Sequence, residues 1–331
     1  MENRVLLHNI TKVLKLGILK AQPHRVSGGY MHKMYCLETD TGKYAVKLLN
    51  SAIMKRPDVF QNYQKAERLE RVLQEQQIPI VQAIELNGCK MQCIDHQYFY
   101  IFPWIEGRTL GWDEIQKEHC EIAGSLLAKI HRIEQSEKPF VRDDLCIDWD
   151  SYIELAVDSG SAIADLLHIN RELIYNGQDE YNKALKHLPP ITSICDGDMD
   201  SKNVMWVNGR PLIIDLECLD YGNPCLEMFD LALSWSGGVI CHIDYELLKA
   251  FITSYQEEYG SIHVDLKELY GIGFKWLEWL EYNVKRALMI ENNNEEERKL
   301  GIEQILQTMD RIIYYASIKE ELLQNLGSMF K

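Results

Sequence analysis

The 331-residue sequence predicts an α+β chain in two parts, a small β-rich part followed by a larger, mainly helical one. Three observations carry that expectation. Up to Phe102 the apolar residues fall in short stretches separated by turn residues, with a single helical stretch among them. Beyond Arg108 the apolar spacing is helical almost to the end. One β-rich island, residues 191–222, interrupts the helical part and holds a cluster of carboxylates.

The elements follow in order. Residues 2–15 have spacing that fits an N-terminal helix. Ile18 to Val26 reads as a strand, Ser27-Gly28-Gly29 as a turn and Met31 to Glu38 as a second strand. Asp40-Thr41-Gly42 turns the chain into a third strand, Tyr44 to Leu49, completing an antiparallel meander. Residues 57–77 read as a helix with Pro57 near its start, a stripe of Leu69, Val72 and Leu73, and Ile78-Pro79 at its end. Met91–Ile94 and Tyr98–Phe102 read as a further hairpin. Residues 103–108 look like a linker between parts 1–102 and 109–331. Helices are expected at about 112–134, 150–157, 161–187, 226–236, 245–259, 265–290 and 296–325. Inside the island, Ile191–Cys195, Val204–Val207 and Leu212–Ile214 are short strand-like runs.

Composition excludes several classes. No apolar run reaches the roughly 18 residues that a membrane span needs. Met1-Glu2-Asn3-Arg4 does not open a signal peptide, so a cytoplasmic location is expected. The nine cysteines are odd in number and scattered, which reads as free thiols in a reducing compartment. A net charge of −15 argues against nucleic acid as a partner. The charge is uneven. Residues 1–105 carry 14 Lys+Arg against 9 Asp+Glu, a net of +5, and residues 106–331 carry 21 against 41, a net of −20. A basic part suits a polyanion and an acidic part a cation, although acidity also serves solubility.

The chemistry concentrates in the island. It reads Asp196-Gly197-Asp198-Met199-Asp200-Ser201-Lys202-Asn203, then a strand, a turn and Ile213-Ile214-Asp215-Leu216-Glu217. A hairpin over Val204–Ile214 brings Asp215 back beside Asn203. An amide oxygen and a carboxylate there are hard ligands suited to Mg²⁺, and Asp198 is left to face an acceptor. Asx turns alone account for one or two such residues, not five carboxylates within 22 positions.

This run resembles the catalytic loop of the aminoglycoside phosphotransferase and choline kinase family, His-Gly-Asp-x-x-x-x-Asn followed by Ile-Asp-x-Glu. These are distant relatives of protein kinases, and the resemblance covers nearly the whole chain. It implies a bilobal protein-kinase-like fold: a nucleotide-binding lobe over 1–102, a hinge at 103–108 and a helical lobe over 109–331. The catalytic loop would be 196–203 and the metal-binding segment 213–217. Tyr44-Ala45-Val46-Lys47 looks like the family's third-strand Lys element. Lys47 would then meet the triphosphate and a helix glutamate, Glu67 or, one turn on, Glu70. Ser27, Gly28 and Gly29 resemble the short turn that covers the phosphates. Pro103, Trp104 and Ile105 fall at the hinge whose backbone holds the purine.

The resemblance further implies Asp198 as the catalytic base, Asn203 and Asp215 as Mg²⁺ ligands, and ATP or GTP as donor. It departs from the family at the first loop position, where Asp196 stands for His. An ionised Asp accepts N–H bonds but cannot donate, and it crowds Asp198, so a catalytically impaired nucleotide-binding module stays open. His131 resembles a core histidine of the family.

The acceptor is less legible. Glu217 lies two residues after Asp215 and Asp220 just beyond the metal-binding segment, and Trp276 to Asn283 sets Glu278, Glu281 and Tyr282 on one helical face. Carboxylates beside an aromatic suit an ammonium group, while tryptophans packed into a core explain the same helix. An aminoglycoside leads, which implies antibiotic resistance; choline, ethanolamine, a macrolide or a sugar stays open. A monomer or weak dimer is expected.

Overall fold

A computed structural model describes residues 3–26, 31–290 and 294–330. The chain divides into two compact units: Met1–Leu110 with Asp196–Asp220, and Gly111–Cys195 with Tyr221–Lys331.

The first unit is built on an antiparallel sheet. Its elements are α1 (Arg4–Val13), β1 (His24–Arg25), β2 (Lys33–Glu38), β3 (Lys43–Leu48), α2 (Val59–Glu75), β4 (Gln92–Ile94) and β5 (Gln97–Pro103). The order across the sheet is β1-β2-β3-β5-β4, with every neighbouring pair antiparallel. Side chains alternate between the faces of a strand. Val46 and Leu48 of β3 and Phe99 and Ile101 of β5 therefore share a face, and they pack with Leu7 and Ile10 of α1. Lys47 and Tyr100, opposite each other in register, point to the other face, where Tyr100 packs with Tyr63 of α2. The fold thus brings Lys47 to the face on which α2 packs.

The expected strand over Ile18 to Val26 forms only at His24–Arg25. Upstream, Leu19 bridges Thr39, with the Lys20 N–H donating to the Glu38 carbonyl at 2.9 Å and the Asp40 N–H to the Ile18 carbonyl at 3.0 Å, and side chains add to this pairing. The Thr39 and Thr41 hydroxyls donate to the Leu16 carbonyl at 2.7 and 2.6 Å, and the Ile18 N–H donates to Asp40 at 2.7 Å. Pro23 has no N–H to add to a ladder. The expected turn Ser27-Gly28-Gly29 lies outside the described residues.

The island contributes a hairpin to this unit, Val204–Val207 against Arg210–Ile213. Asn208 and Gly209 turn it, both at positive φ (51° and 76°), as a tight two-residue turn matched to strand twist requires. The Ile213 N–H donates to the Pro79 carbonyl and the Val81 N–H to the Ile213 carbonyl, each at 2.8 Å. Those two bonds tie the hairpin to the segment after α2.

The second unit is mainly helical. It contains α3 (Lys117–Ile133), α4 (Trp149–Asp158), α5 (Ala164–Ile169), α6 (Arg171–His187), α7 (Pro224–Trp235), α8 (Tyr245–Tyr259), α9 (Leu266–Leu269), α10 (Trp276–Ala287), α11 (Glu295–Ser317) and α12 (Lys319–Leu326). The expected helix 112–134 begins only at Lys117, after a 3-10 turn, and three others break, 296–325 at Ile318 between α11 and α12. Residues 161–187 divide at Asn170, whose side chain donates back to the Leu166 carbonyl at 2.8 Å. Residues 265–290 tighten to a 3-10 turn over Tyr270–Lys275, where Gly273 lies against Tyr315 so closely that a β-carbon would fall 2.1 Å from its ring. Among the described residues, no helix is long and apolar enough to cross a membrane.

Candidate active site

The site is described within the first unit. Lys47 is only 5% exposed. Its ammonium bonds the Asp215 carboxylate and lies 2.6 Å from Glu217 Oε2. Burial by itself lowers a lysine's pKa, but the two carboxylates outweigh it and push this one up. Glu217 shows the converse. Burial raises its pKa, and the opposing pull of Lys47 and His32 brings it down to about 2.

The hairpin explains how two carboxylates reach one ammonium. At its mouth the Ile214 N–H donates to the Asn203 carbonyl at 2.9 Å. Asp215 follows in the left-handed region at φ 63°, and the chain enters a 3-10 turn over Leu216–Cys218. That reversal lets residues 215 and 217 converge, at a backbone cost on the order of 1 kcal/mol.

The loop before the hairpin is tied by its own side chains. Asn203 Nδ2 donates to both the carbonyl and the Oδ2 of Asp198 at 2.8 Å. The Asp198 N–H donates to buried Asp196 at 3.3 Å, so the residue that stands for a histidine serves as an acceptor inside the loop. Lys202 Nζ lies 3.1 Å from Asp198 and 3.4 Å from Asp200. Burial, then the Asp200 charge, lift the Asp198 pKa to about 7 against the pull of Lys202. A carboxylate poised there can take a proton near neutral pH.

Gly197 makes the loop possible. It sits at φ +85°, and a β-carbon would fall 2.7 Å from the Cys218 carbonyl oxygen. Gly197→Ala is therefore expected to destabilise the protein by about 1–3 kcal/mol, read by thermal or urea unfolding. A cost below about 0.5 kcal/mol would mean that the loop is free to move away from residue 218.

Lys47, Asp198, Asn203, Asp215 and Glu217 thus stand together. Glu67 does not join them. Its carboxylate accepts from Tyr100 at 2.9 Å, while the ion pairs of Lys47 go to Asp215 and Glu217. Glu70 is buried with Lys90 at 2.7 Å. Pro103 pairs with Tyr44 at the end of β5, and the Trp104 N–H donates to the Lys43 carbonyl at 3.1 Å. Ile105 follows beyond the ladder. Asp220 takes Lys65 on both oxygens at 2.9 Å.

The remaining candidates lie in the second unit. Glu278 accepts from Arg142 at 2.5 Å and Tyr181 at 3.0 Å. Glu281 accepts from Tyr152 and pairs with Lys285, both at 2.9 Å. Tyr282 stacks on Trp279 at 5.2 Å. His131 is fully buried and bonded on both ring nitrogens, to Tyr255 and Glu227 at 2.7 Å, as a core histidine is. Cys195 brings a third ligand atom within 4.8 Å of that pair, but hydrogen bonds already join all three residues.

The donor set fits Mg²⁺ in kind. Asn203 bonds through its nitrogen, which leaves its oxygen as a ligand, and Asp215 supplies carboxylate oxygen. Sequence reasoning missed His32, Tyr63 and Lys202. Lys202 was within reach of it, four residues after Asp198 in a loop already singled out. Nothing local in the sequence marks His32 or Tyr63.

The model of the phosphotransferase enzyme family matches residues 23–264. A spectinomycin phosphotransferase solved with ADP and spectinomycin superimposes with a TM-score of 0.71 at 16% identity, over 95% of this chain and 98% of that one. An amicoumacin kinase solved with AMP-PNP and Ca²⁺ gives 0.60 at 12% identity, over 94% and 96%. An ethanolamine kinase from Plasmodium vivax gives 0.57 at 14%, over 87% and 81%. At these identities the likeness shows the fold, which is the kinase-like one expected from the sequence. No curated protein matches the sequence.

Proposed function

The chain belongs to the phosphotransferase enzyme family, and from that premise we propose that it transfers the γ-phosphoryl group of ATP or GTP to a hydroxyl of a small cationic acceptor, an aminoglycoside first. The observation that carries this reading is the meeting of Lys47 with Asp215 and Glu217, beside a loop that holds Asp198 against Asn203. A buried ammonium among carboxylates is the arrangement that a triphosphate and its cation require.

The roles follow from the chemistry of each group. Asn203 and Asp215 would hold Mg²⁺, which when bound neutralises charge on the phosphate oxygens. Lys47 binds phosphate oxygen and stays protonated throughout, because the carboxylates hold its pKa up. Asp198 accepts the proton of the acceptor hydroxyl. The hydroxyl oxygen bonds to the γ-phosphorus as the bond to the bridging oxygen breaks, and the nucleoside diphosphate leaves. Lys202 holds Asp198 in place between proton transfers.

The cationic acceptor rests on the distribution of charge. Residues 106–331 carry 41 Asp+Glu against 21 Lys+Arg. Glu278 and Glu281 already have Arg142 and Lys285 as partners, so an ammonium group there competes with those cations. The kinases it resembles in fold act on spectinomycin and ethanolamine, both amine-bearing alcohols.

The test is diphosphate release with ATP and GTP in parallel, against aminoglycosides, spectinomycin, choline, ethanolamine, macrolides and neutral sugars. Stimulation by an aminoglycoside is expected. Stimulation by ethanolamine or choline alone would move the acceptor to a simple amino alcohol. Stimulation by neutral sugars alone would remove the cationic reading, and no nucleotide binding at all would remove the kinase reading.

A further inference from the structure

Lys47 has two carboxylate partners, Asp215 and Glu217, and Glu217 is itself held by a third residue that the phosphotransferase reading does not use. His32 precedes β2 and is 5% exposed. The backbone N–H of Asn50 lies 3.0 Å from its Nδ1. An amide N–H can only donate, so Nδ1 accepts and the ring proton sits on Nε2. That nitrogen lies 3.1 Å from Glu217 Oε1. The other oxygen of Glu217 takes Lys47 at 2.6 Å, with the Tyr63 hydroxyl at 3.5 Å. Each carboxylate oxygen therefore has its own partner, and the carboxylate cannot turn about its axis without breaking one of the two bonds.

We infer that His32 is a positioning residue: fixed by the Asn50 amide, its Nε2–H clamps Glu217, and Glu217 in turn fixes the Lys47 ammonium from the metal-segment side. In this chain the clamp stands where Glu67 was expected, and Glu67 is committed to Tyr100. The two ends of the device come from distant parts of the sequence, so residues 32, 50 and 217 are brought together only by the sheet and the hairpin. The inference rests on the reading of Lys47 as a phosphate-binding residue, but it concerns what orients that residue rather than what it binds.

Two substitutions separate positioning from mere packing, because they keep opposite halves of the imidazole. His32→Asn keeps an acceptor near Nδ1 for the Asn50 N–H and loses the donor to Glu217. His32→Gln reaches the Nε2 position and keeps that donor, but leaves the Asn50 N–H without its acceptor. The measurement is the affinity for a fluorescent ATP analogue and its GTP counterpart with Mg²⁺, beside the melting temperature of each variant.

The expected result is a crossing of ranks. His32→Asn melts at or above His32→Gln, yet binds nucleotide about tenfold more weakly than the native protein, while His32→Gln stays within about threefold of it. Affinities that follow the melting order, or two variants that both bind as the native protein does, overturn the clamp. If the native protein binds neither nucleotide, the phosphotransferase reading falls first and the clamp with it. Native binding together with unaltered His32→Asn binding removes the clamp alone.

Discussion

Asp198→Asn is expected to lower phosphoryl transfer by about 10²–10⁴-fold while nucleotide affinity changes little. Asparagine matches aspartate in shape and keeps an oxygen for Asn203 Nδ2, so the loop should persist and only the proton acceptor is lost. The acidity of Asp198 adds a second readout. Its pKa in the fold is about 7, above the ordinary 3.8. A raised carboxyl pKa means that the fold prefers the protonated form, so ionisation costs stability as pH rises from about 4 to 7, and the full cost remains above 7. Asp198→Asn carries no such charge. It should melt higher than the native protein at pH 8, with a gain that shrinks toward pH 5. In the native enzyme kcat/KM should rise with pH through a limb near 7, and that limb should be missing from the residual activity of the variant. Transfer that survives within about tenfold would assign the base elsewhere.

Much of this site is legible in the sequence because its chemistry is local. Asp198, Asn203 and Asp215 are set by a short loop and a hairpin, and the Asn208-Gly209 turn fixes the register that returns Asp215 to Asn203. Lys47 is legible as the charged member of an apolar strand. The choice between partners for that lysine is not legible. Glu67 and Glu217 both carry a carboxylate at a reasonable separation, and which one arrives depends on how far a hairpin 150 residues downstream reaches. It reaches through the bonds of Ile213 to residues 79 and 81, which no local pattern announces. His32 and Tyr63 are hidden for the same reason. The strand expected over Ile18 to Val26 is interrupted because the pairing shifts by two residues between Leu19–Thr39 and His24–Cys36, with Pro23 lacking an N–H between them, and alternating hydrophobicity does not register such an insertion.

Lys47→Met should weaken nucleotide binding, lower transfer by about 10²–10³-fold and destabilise the fold, and the pH dependence tells these effects apart. Methionine keeps much of the side-chain length, so the loss is the charge. Without it, Asp215 and Glu217 face each other with His32 and the Tyr63 hydroxyl as the remaining donors. In the native fold Glu217 has a pKa of about 2 against an ordinary 4.5. A depressed carboxyl pKa contributes stability that is present above 4.5 and disappears as pH falls toward 2. Removing Lys47 reverses the sign, because burial then acts on Glu217 unopposed except by those two donors. The variant should lose about 3 kcal/mol at pH 8, where both carboxylates are charged, and less near pH 4.5, where protonation relieves them. Lys47→Arg separates stability from chemistry. A guanidinium keeps the charge and can meet both carboxylates, but it cannot place a compact ammonium against a phosphate oxygen. It should recover most of the melting temperature at pH 8 and little of the transfer. A Lys47→Met protein that melts like the native one at pH 8 would show that the carboxylates are solvated enough not to need the lysine, and its role would then be confined to the nucleotide.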